Sequence, residues 1–336
     1  MEIQLFQHHP VIGYTYIPNL KLRIEHEGGG YLLRTNAAGF RSEHEFSKVN
    51  TGKKYRILLF GDSFTAGDAV SNQNRYGDLI ETLIPAAEVY NFGLPGTGTD
   101  QQYLAWSEIA KEYEHDFVII AIQVENIRRV AARHRLSVIA DGENMLFAKP
   151  YFEFRGEDLA LRGVPVPSEA LSPDKLPESE RKFVDQGGRM PGLRSFVNKM
   201  GGPAKDLAQR ISGYQPLPEY DDPRGCDWKL MKAILKKWTD EITKPVIVMP
   251  VPLYQYVEET SSPDGYRSRF AEIAEWTGIT LHDPLPDYYR VPRSERRAFR
   301  FETDIHPTPL HHKLLAKSLA KAIRPLVTRG TEGASA

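Results

Sequence analysis

The chain has 336 residues, of which 41% are hydrophobic and 26% charged, an ordinary balance that points to a globular protein and away from disorder or a membrane class. Its 43 basic and 44 acidic side chains leave a net charge of -1, so no overall field draws it to nucleic acid or anionic lipid. The single cysteine, Cys226, excludes an internal disulfide and any multi-thiolate metal site. No apolar run approaches the roughly 18 to 20 residues of a spanning helix, and the first ten residues lack a basic segment followed by an apolar one, so a cytoplasmic location with no membrane span is expected.

Residues 1–50 alternate short mixed segments with turn signals at Gly13, Pro18-Asn19 and Gly28-Gly29-Gly30, and read as a small β-rich extension with a Gly-rich hairpin. The apolar run 56–60 then stops abruptly at Gly61-Asp62-Ser63. A run without polar alternation reads as a strand buried on both faces, and the carboxyl end of such a strand is where open parallel sheets bind ligands. Gly61 permits a sharp turn, Asp62 can tie it, and Ser63 opens the next helix, whose amino end favours negative charge. Taken alone, the same residues describe an ordinary helix cap.

A helix over 76–84, a strand over 88–93, a helix from Thr99 to about Tyr113 and a strand over 117–122 follow. Three strand-loop-helix units in succession argue a parallel α/β sheet with right-handed crossovers. The rhythm breaks over 127–227, which holds a basic helix to about Arg135, a strand pair over 145–155 and 159–166, a Pro-rich connector and a helical stretch over 178–212. This segment is expected to be a lid-like insert. The rhythm resumes with a helix over 228–242, a strand over 245–250, a helix over 265–276, a short strand over 279–281 and a closing helix over 310–326. The core domain is thus expected over 51–126 and 228–327, with 328–336 as a disordered tail.

Ser63, Gly93 and Asn126 each follow a core strand, and His306 lies just before the last helix, so all four fall at the edge where a parallel sheet gathers its chemistry. The segments Gly61-Asp62-Ser63, Asn91-Phe92-Gly93-Leu94-Pro95-Gly96, Glu125-Asn126 and Asp304-Ile305-His306-Pro307 together resemble the SGNH, or GDSL-type, hydrolase superfamily, whose blocks centre on Ser, Gly, Asn and His. Asn36-Ala37-Ala38-Gly39-Phe40-Arg41 is similar to a segment preceding the nucleophile strand in one branch with an amino-terminal extension. The resemblance implies a three-layer α/β/α flavodoxin-like parallel sheet and acyl-ester chemistry. Ser63 would be the nucleophile, His306 its base and Asp304 the group orienting the imidazole; the backbone N–H groups of Ser63 and Gly93 and the Asn126 amide would form the oxyanion hole. No metal and no cofactor is implied; the expected partner is a small-molecule acyl ester, with no nucleic acid, and the oligomeric state stays open.

Two departures stand out. The third block reads Gln123-Val124-Glu125-Asn126-Ile127, without its usual glycine and trailing Asp, and the fourth has one residue between Asp304 and His306 where two are usual, with Thr303 at the familiar position. An Asp-x-His form resembles that of some relatives, notably polysaccharide O-acetyltransferases. His311 and His312 read as surface or cap residues.

Arg128, Arg129, Arg133 and Arg135 follow Asn126, and Arg293, Arg296, Arg297 and Arg300 precede Asp304. On a nearly neutral chain these clusters suggest a phosphate- or carboxylate-bearing substrate, with Arg128, Arg129 and Arg300 as candidate contacts. Three readings stay open: an esterase, an O-acyltransferase using the same acyl-enzyme, and a non-catalytic binding module. A nucleotide loop at 93–98 fits poorly, because the glycine spacing is wrong and no Gly-Lys-Ser/Thr is present.

Overall fold

The chain enters through two antiparallel hairpins, β1 (Phe6–His9) with β2 (Gly13–Tyr16) and β3 (Lys21–Ile24) with β4 (Tyr31–Arg34). The computed structural model describes residues 4–52, 54–138, 142–185 and 214–332. The apolar run that ends at Gly61 is β5 (Tyr55–Phe60), followed by a single helical turn, α1 (Ser63–Ala66), and by α2 (Tyr76–Leu83), β6 (Ala87–Asn91), α3 (Thr99–Glu108) and β7 (Phe117–Gln123). Every residue of β7 is buried, as expected of a strand covered on both faces.

After β7 come the short helix α4 (Asn126–Arg129) and four strands of the insert, β8 (His134–Val138), β9 (Asn144–Ala148), β10 (Tyr151–Arg155) and β11 (Asp158–Arg162). The basic helix expected to reach Arg135 therefore stops after one turn. Its remainder joins a small sheet, because β8 pairs with β9 and with β12 (Val184–Asp185), an arrangement that charge spacing along one segment does not encode. The helical stretch expected from 178 begins as a 3-10 segment, Glu178–Phe183, and runs into β12; its continuation lies outside the described residues.

The core resumes with α5 (Cys226–Glu241), β13 (Val246–Val251), α6 (Tyr254–Val257), α7 (Asp264–Thr277), β14 (Thr280–Leu281), α8 (Leu285–Tyr289) and α9 (Pro309–Glu332). Trp228, Met231, Leu235 and Trp238 recur every three to four residues along α5 and are all buried, the stripe expected of a helix laid on a sheet. The last helix continues through Pro325 to Glu332, so most of the tail expected to be disordered is helical: once a helix runs, each added residue contributes a hydrogen bond without a new nucleation cost.

The five core strands are parallel in the order β14-β13-β7-β5-β6. Numbered by occurrence in this sheet the order is 2-1-3-4-5, the flavodoxin-like doubly wound arrangement. The chain steps outward from β5 to β6 and then back across β5 to β7. With right-handed crossovers α2 and α3 therefore cover opposite faces, giving a three-layer α/β/α fold. Packing agrees: α9 lies on α2, and α5 on α3 and α7. No helix among the described residues is long and apolar enough to cross a membrane.

Candidate active site

The order of strands reverses between β5 and β7, and that switch point is where Ser63 and Asn126 emerge. At Gly61 a β-carbon would lie 2.0 Å from Thr65 Oγ1 and 2.7 Å from the Ala121 carbonyl oxygen, so only glycine lets the first turn of α1 fold back onto β7. Asp62 caps α1, its carboxylate accepting from Phe64 N at 3.0 Å. The helix is one turn long and adds little macrodipole; the N–H groups of Phe64, Thr65 and Ala66 all bond to Asp62, which leaves that of Ser63. From below, Asn91 donates to the Thr65 carbonyl (2.8 Å) and accepts from Gly93 N (2.9 Å). The Gly93 N–H expected in the oxyanion hole is thus already engaged, and a β-carbon there would meet Ala66 N at 2.5 Å. Gly93 permits the close approach of two backbones. Three residues on, the N–H of Gly96 has no hydrogen-bond partner among the described residues.

Asn126 is fully buried and held at both ends of its amide. Its oxygen accepts from Gln102 Nε2 at 2.8 Å, and Nδ2 donates to Asp62 Oδ2 at 3.0 Å. A primary amide carries two N–H bonds, so one donor remains. Gln123 Oε1 accepts from Glu125 N (2.8 Å) and ties the turn where the third block lacks its glycine.

The imidazole of His306 packs against Phe64, the neighbour of Ser63, with ring centroids 5.6 Å apart. Asp304 Oδ1 accepts from His306 Nδ1 at 2.6 Å and from the His306 backbone N–H at 2.9 Å, so the one-residue spacing brings this acid and imidazole together through a tight turn. Thr303 is turned instead toward Glu27, to which its hydroxyl donates. Among the described residues no hydrogen bond joins the Ser63 hydroxyl to His306, and Ser63 is 6% exposed. Burial pulls the His306 imidazole down, but the hydrogen bond to Asp304 and the charges of Asp68, Asp304 and Asp62 outweigh it and place it above its ordinary 6.5. Burial pushes Asp304 up, yet its hydrogen bonds with His306 and His26 hold it well below the usual carboxylate range.

Asp68 was not singled out from sequence. It follows α1, is pushed up by burial, and its Oδ1 lies 4.0 Å from Arg41 Nη1. Arg41, from the polar turn of the amino-terminal extension, is fully buried and donates to the carbonyls of Gly67 (2.7 Å) and Val70 (2.8 Å) and to Asn72 Oδ1. The extension therefore fixes the segment that follows the serine.

The three arginines expected to meet an anionic substrate all have carboxylate partners. Arg128 is bidentate to Glu219 (2.5 and 3.1 Å), Arg300 is bidentate to Glu258 (2.6 and 3.2 Å), and Arg129 Nη1 bonds Asp62 Oδ2 at 2.7 Å. Each guanidinium is matched within the chain, so none is left as a free cation for a ligand. His311 and His312 are buried in the core, contrary to the surface reading. Tyr288 OH meets His311 Nε2 at 2.6 Å and Tyr76 N donates to His312 Nδ1 at 3.2 Å, partners from remote elements that a linear reading cannot supply. Burial draws His311 down to about 4.

No family model and no curated protein matches the chain. Among solved structures it is similar to a member of the lipolytic protein G-D-S-L family from Veillonella parvula, at 10% identity over 80% of this chain and 97% of the other, with a TM-score of 0.42. It is similar to a lipase/acylhydrolase from Enterococcus faecalis at 15% identity, over 81% and 96%, with a TM-score of 0.42. A catalytic mutant of an acetylxylan esterase from Geobacillus stearothermophilus gives 15% identity, over 83% and 96%, with a TM-score of 0.43.

Proposed function

We propose that the chain is a serine-dependent ester hydrolase of the SGNH type, cleaving a short O-acyl ester on a small molecule such as a carbohydrate. The observation that carries this reading is the 2.6 Å contact of Asp304 with His306 Nδ1, on an imidazole that packs against the residue after Ser63 at the sheet's switch point. With Nδ1 committed to the carboxylate, Nε2 is the nitrogen free to take a proton, as general-base work on a serine hydroxyl requires. In the reaction Ser63 attacks the acyl carbonyl, its proton passes to His306, and Asp304 stabilises the imidazolium. The hydrogen bond between Ser63 and His306 forms as the acyl group binds, since catalytic hydrogen bonds are often long or unformed in ligand-free sites.

Charge developing on the acyl oxygen is met by the Ser63 N–H and the uncommitted Asn126 N–H, the Gly93 N–H being taken by Asn91. Each such donor is worth about 3 to 4 kcal/mol of barrier. Collapse of the tetrahedral species expels the alcohol, which takes the proton from His306, and water then hydrolyses the acyl-enzyme by the same route. The internal pairing of Arg128, Arg129 and Arg300 favours a neutral ester over a phosphate- or carboxylate-bearing substrate. Hydrolysis of p-nitrophenyl acetate by the wild type, abolished in Ser63→Ala, tests the reading; equal rates for the two proteins would sink it and leave the binding-module alternative. Transfer of the acyl group to an added sugar, outrunning hydrolysis, would favour the O-acyltransferase.

A further inference from the structure

We infer that His26, at the tip of the β3–β4 hairpin, is a positioning residue for the Asp304–His306 pair, an inference that rests on the triad reading above. Asp304 spends one carboxylate oxygen twice on His306, through its ring and its backbone N–H. The other oxygen, Oδ2, lies 3.1 Å from His26 Nε2. The direction of that bond is set by chemistry. His26 Nδ1 accepts from the Gly28 backbone N–H at 3.2 Å, so the single proton of the neutral ring sits on Nε2 and points at Asp304.

The hairpin tip is built to hold this ring. Phe301 meets it edge to face with centroids 4.5 Å apart, and a β-carbon at Gly28 would lie 2.5 Å from Phe301 Cε1. Glu27, the next residue, accepts from Thr303 N at 2.9 Å and Asp304 N at 2.8 Å. Residues 301–307 contain no helix or strand, so the carboxylate of Asp304 takes its direction from what packs against the loop. Arg297 holds the loop's carbonyls at Phe301 and Glu302, while the groups that reach Asp304 itself from a segment remote in sequence are His26 and Glu27. The amino-terminal hairpin thus completes the acid arm of the triad, and Asp304 acts as the centre of a His-Asp-His relay of hydrogen bonds in which His26 touches neither substrate nor the reacting atoms.

The test reads the pair without relying on turnover. In the full chain labelled with 15N-histidine, the low-field Nδ1–H proton of His306 is assigned by its loss in His306→Ala. His26→Ala is expected to broaden or remove that resonance and to lower kcat roughly tenfold with KM unchanged, the low end of what loss of an outer hydrogen-bond partner costs. His26→Gln, which keeps a donor, is expected to retain both. A wild type without the resonance, a His26→Ala protein that keeps it, or a His26→Gln protein that loses as much as His26→Ala overturns the inference. A fall in melting temperature with kcat and the resonance intact does the same, since it marks a purely structural role. Absence of any Ser63-dependent turnover refutes the esterase reading by itself, while the resonance still decides on His26.

Discussion

Asp62, the residue before Ser63, and Arg129, one turn beyond Asn126, form an ion pair of 2.7 Å in which the carboxylate is wholly buried. The same carboxylate accepts from Phe64 N and from Asn126 Nδ2, so one side chain holds the start of α1, the amide donor and α4 in a fixed relation. Removing one partner of a buried pair strands the other charge away from water, and that costs more than the pair itself contributes. Arg129→Ala is therefore expected to lose about 3 to 5 kcal/mol of stability. Urea unfolding measures it, and a loss under about 1 kcal/mol, the range of an exposed pair, would contradict the role.

The pH profile follows from His306. A general base works only when neutral, and this imidazole is held above 6.5 chiefly against the pull of burial, by Asp304, Asp68 and Asp62. Hence kcat/KM falls as pH drops through a value higher than 6.5, and is full above it. Asp68→Asn removes a negative charge facing the ring and lowers its pKa, so the acid limb is expected to move to lower pH. A limb that stays in place, or moves upward, rules out Asp68 as a tuning group.

Asn126→Ala removes a donor that acts only as the oxyanion forms, so kcat is expected to drop by about 100- to 1000-fold with little change in KM. Gln102→Leu leaves the amide in place but frees its oxygen from the 2.8 Å bond that aims it, and a smaller loss of the same kind is expected. Steady-state kinetics separates the two; a rise in KM at constant kcat would mean that Asn126 binds substrate without serving the transition state.

Gly61→Ala forces a methyl group against the Ala121 carbonyl, which as strand backbone cannot yield. Overpacking of this kind costs about 1 to 3 kcal/mol or more, and thermal unfolding should show it. An unchanged melting temperature would mean that β5 and α1 have more freedom than this geometry allows.

The sheet was legible because its central strands repeat one local chemistry: residues 57–60, 117–122 and 246–251 are uninterrupted apolar runs, and the first two end where Gly61 and Gln123 turn the chain. The same signal placed Ser63 and Asn126 at the carboxyl edge. What escaped was set by contacts between remote segments. The charged stretch 128–135 looks helical by itself, but Arg135 pairs in register with Phe147 and with Asp185 in a three-stranded sheet. His311 and His312 look like a polar helix start until Tyr288 and Tyr76 supply their partners. Clustered arginines imply an open cation only if no acid folds onto them, and Glu219, Glu258 and Asp62 do. His26 carried no signal, since nothing near it in sequence hints at Asp304.

Fluorophosphonate labelling followed by peptide mass spectrometry shows whether one hydroxyl of this chain is activated. A single adduct is expected on the peptide carrying Ser63, absent in Ser63→Ala and strongly slowed in His306→Ala. An adduct on another serine, or labelling of Ser63 at the same rate without the His306 imidazole, would contradict it.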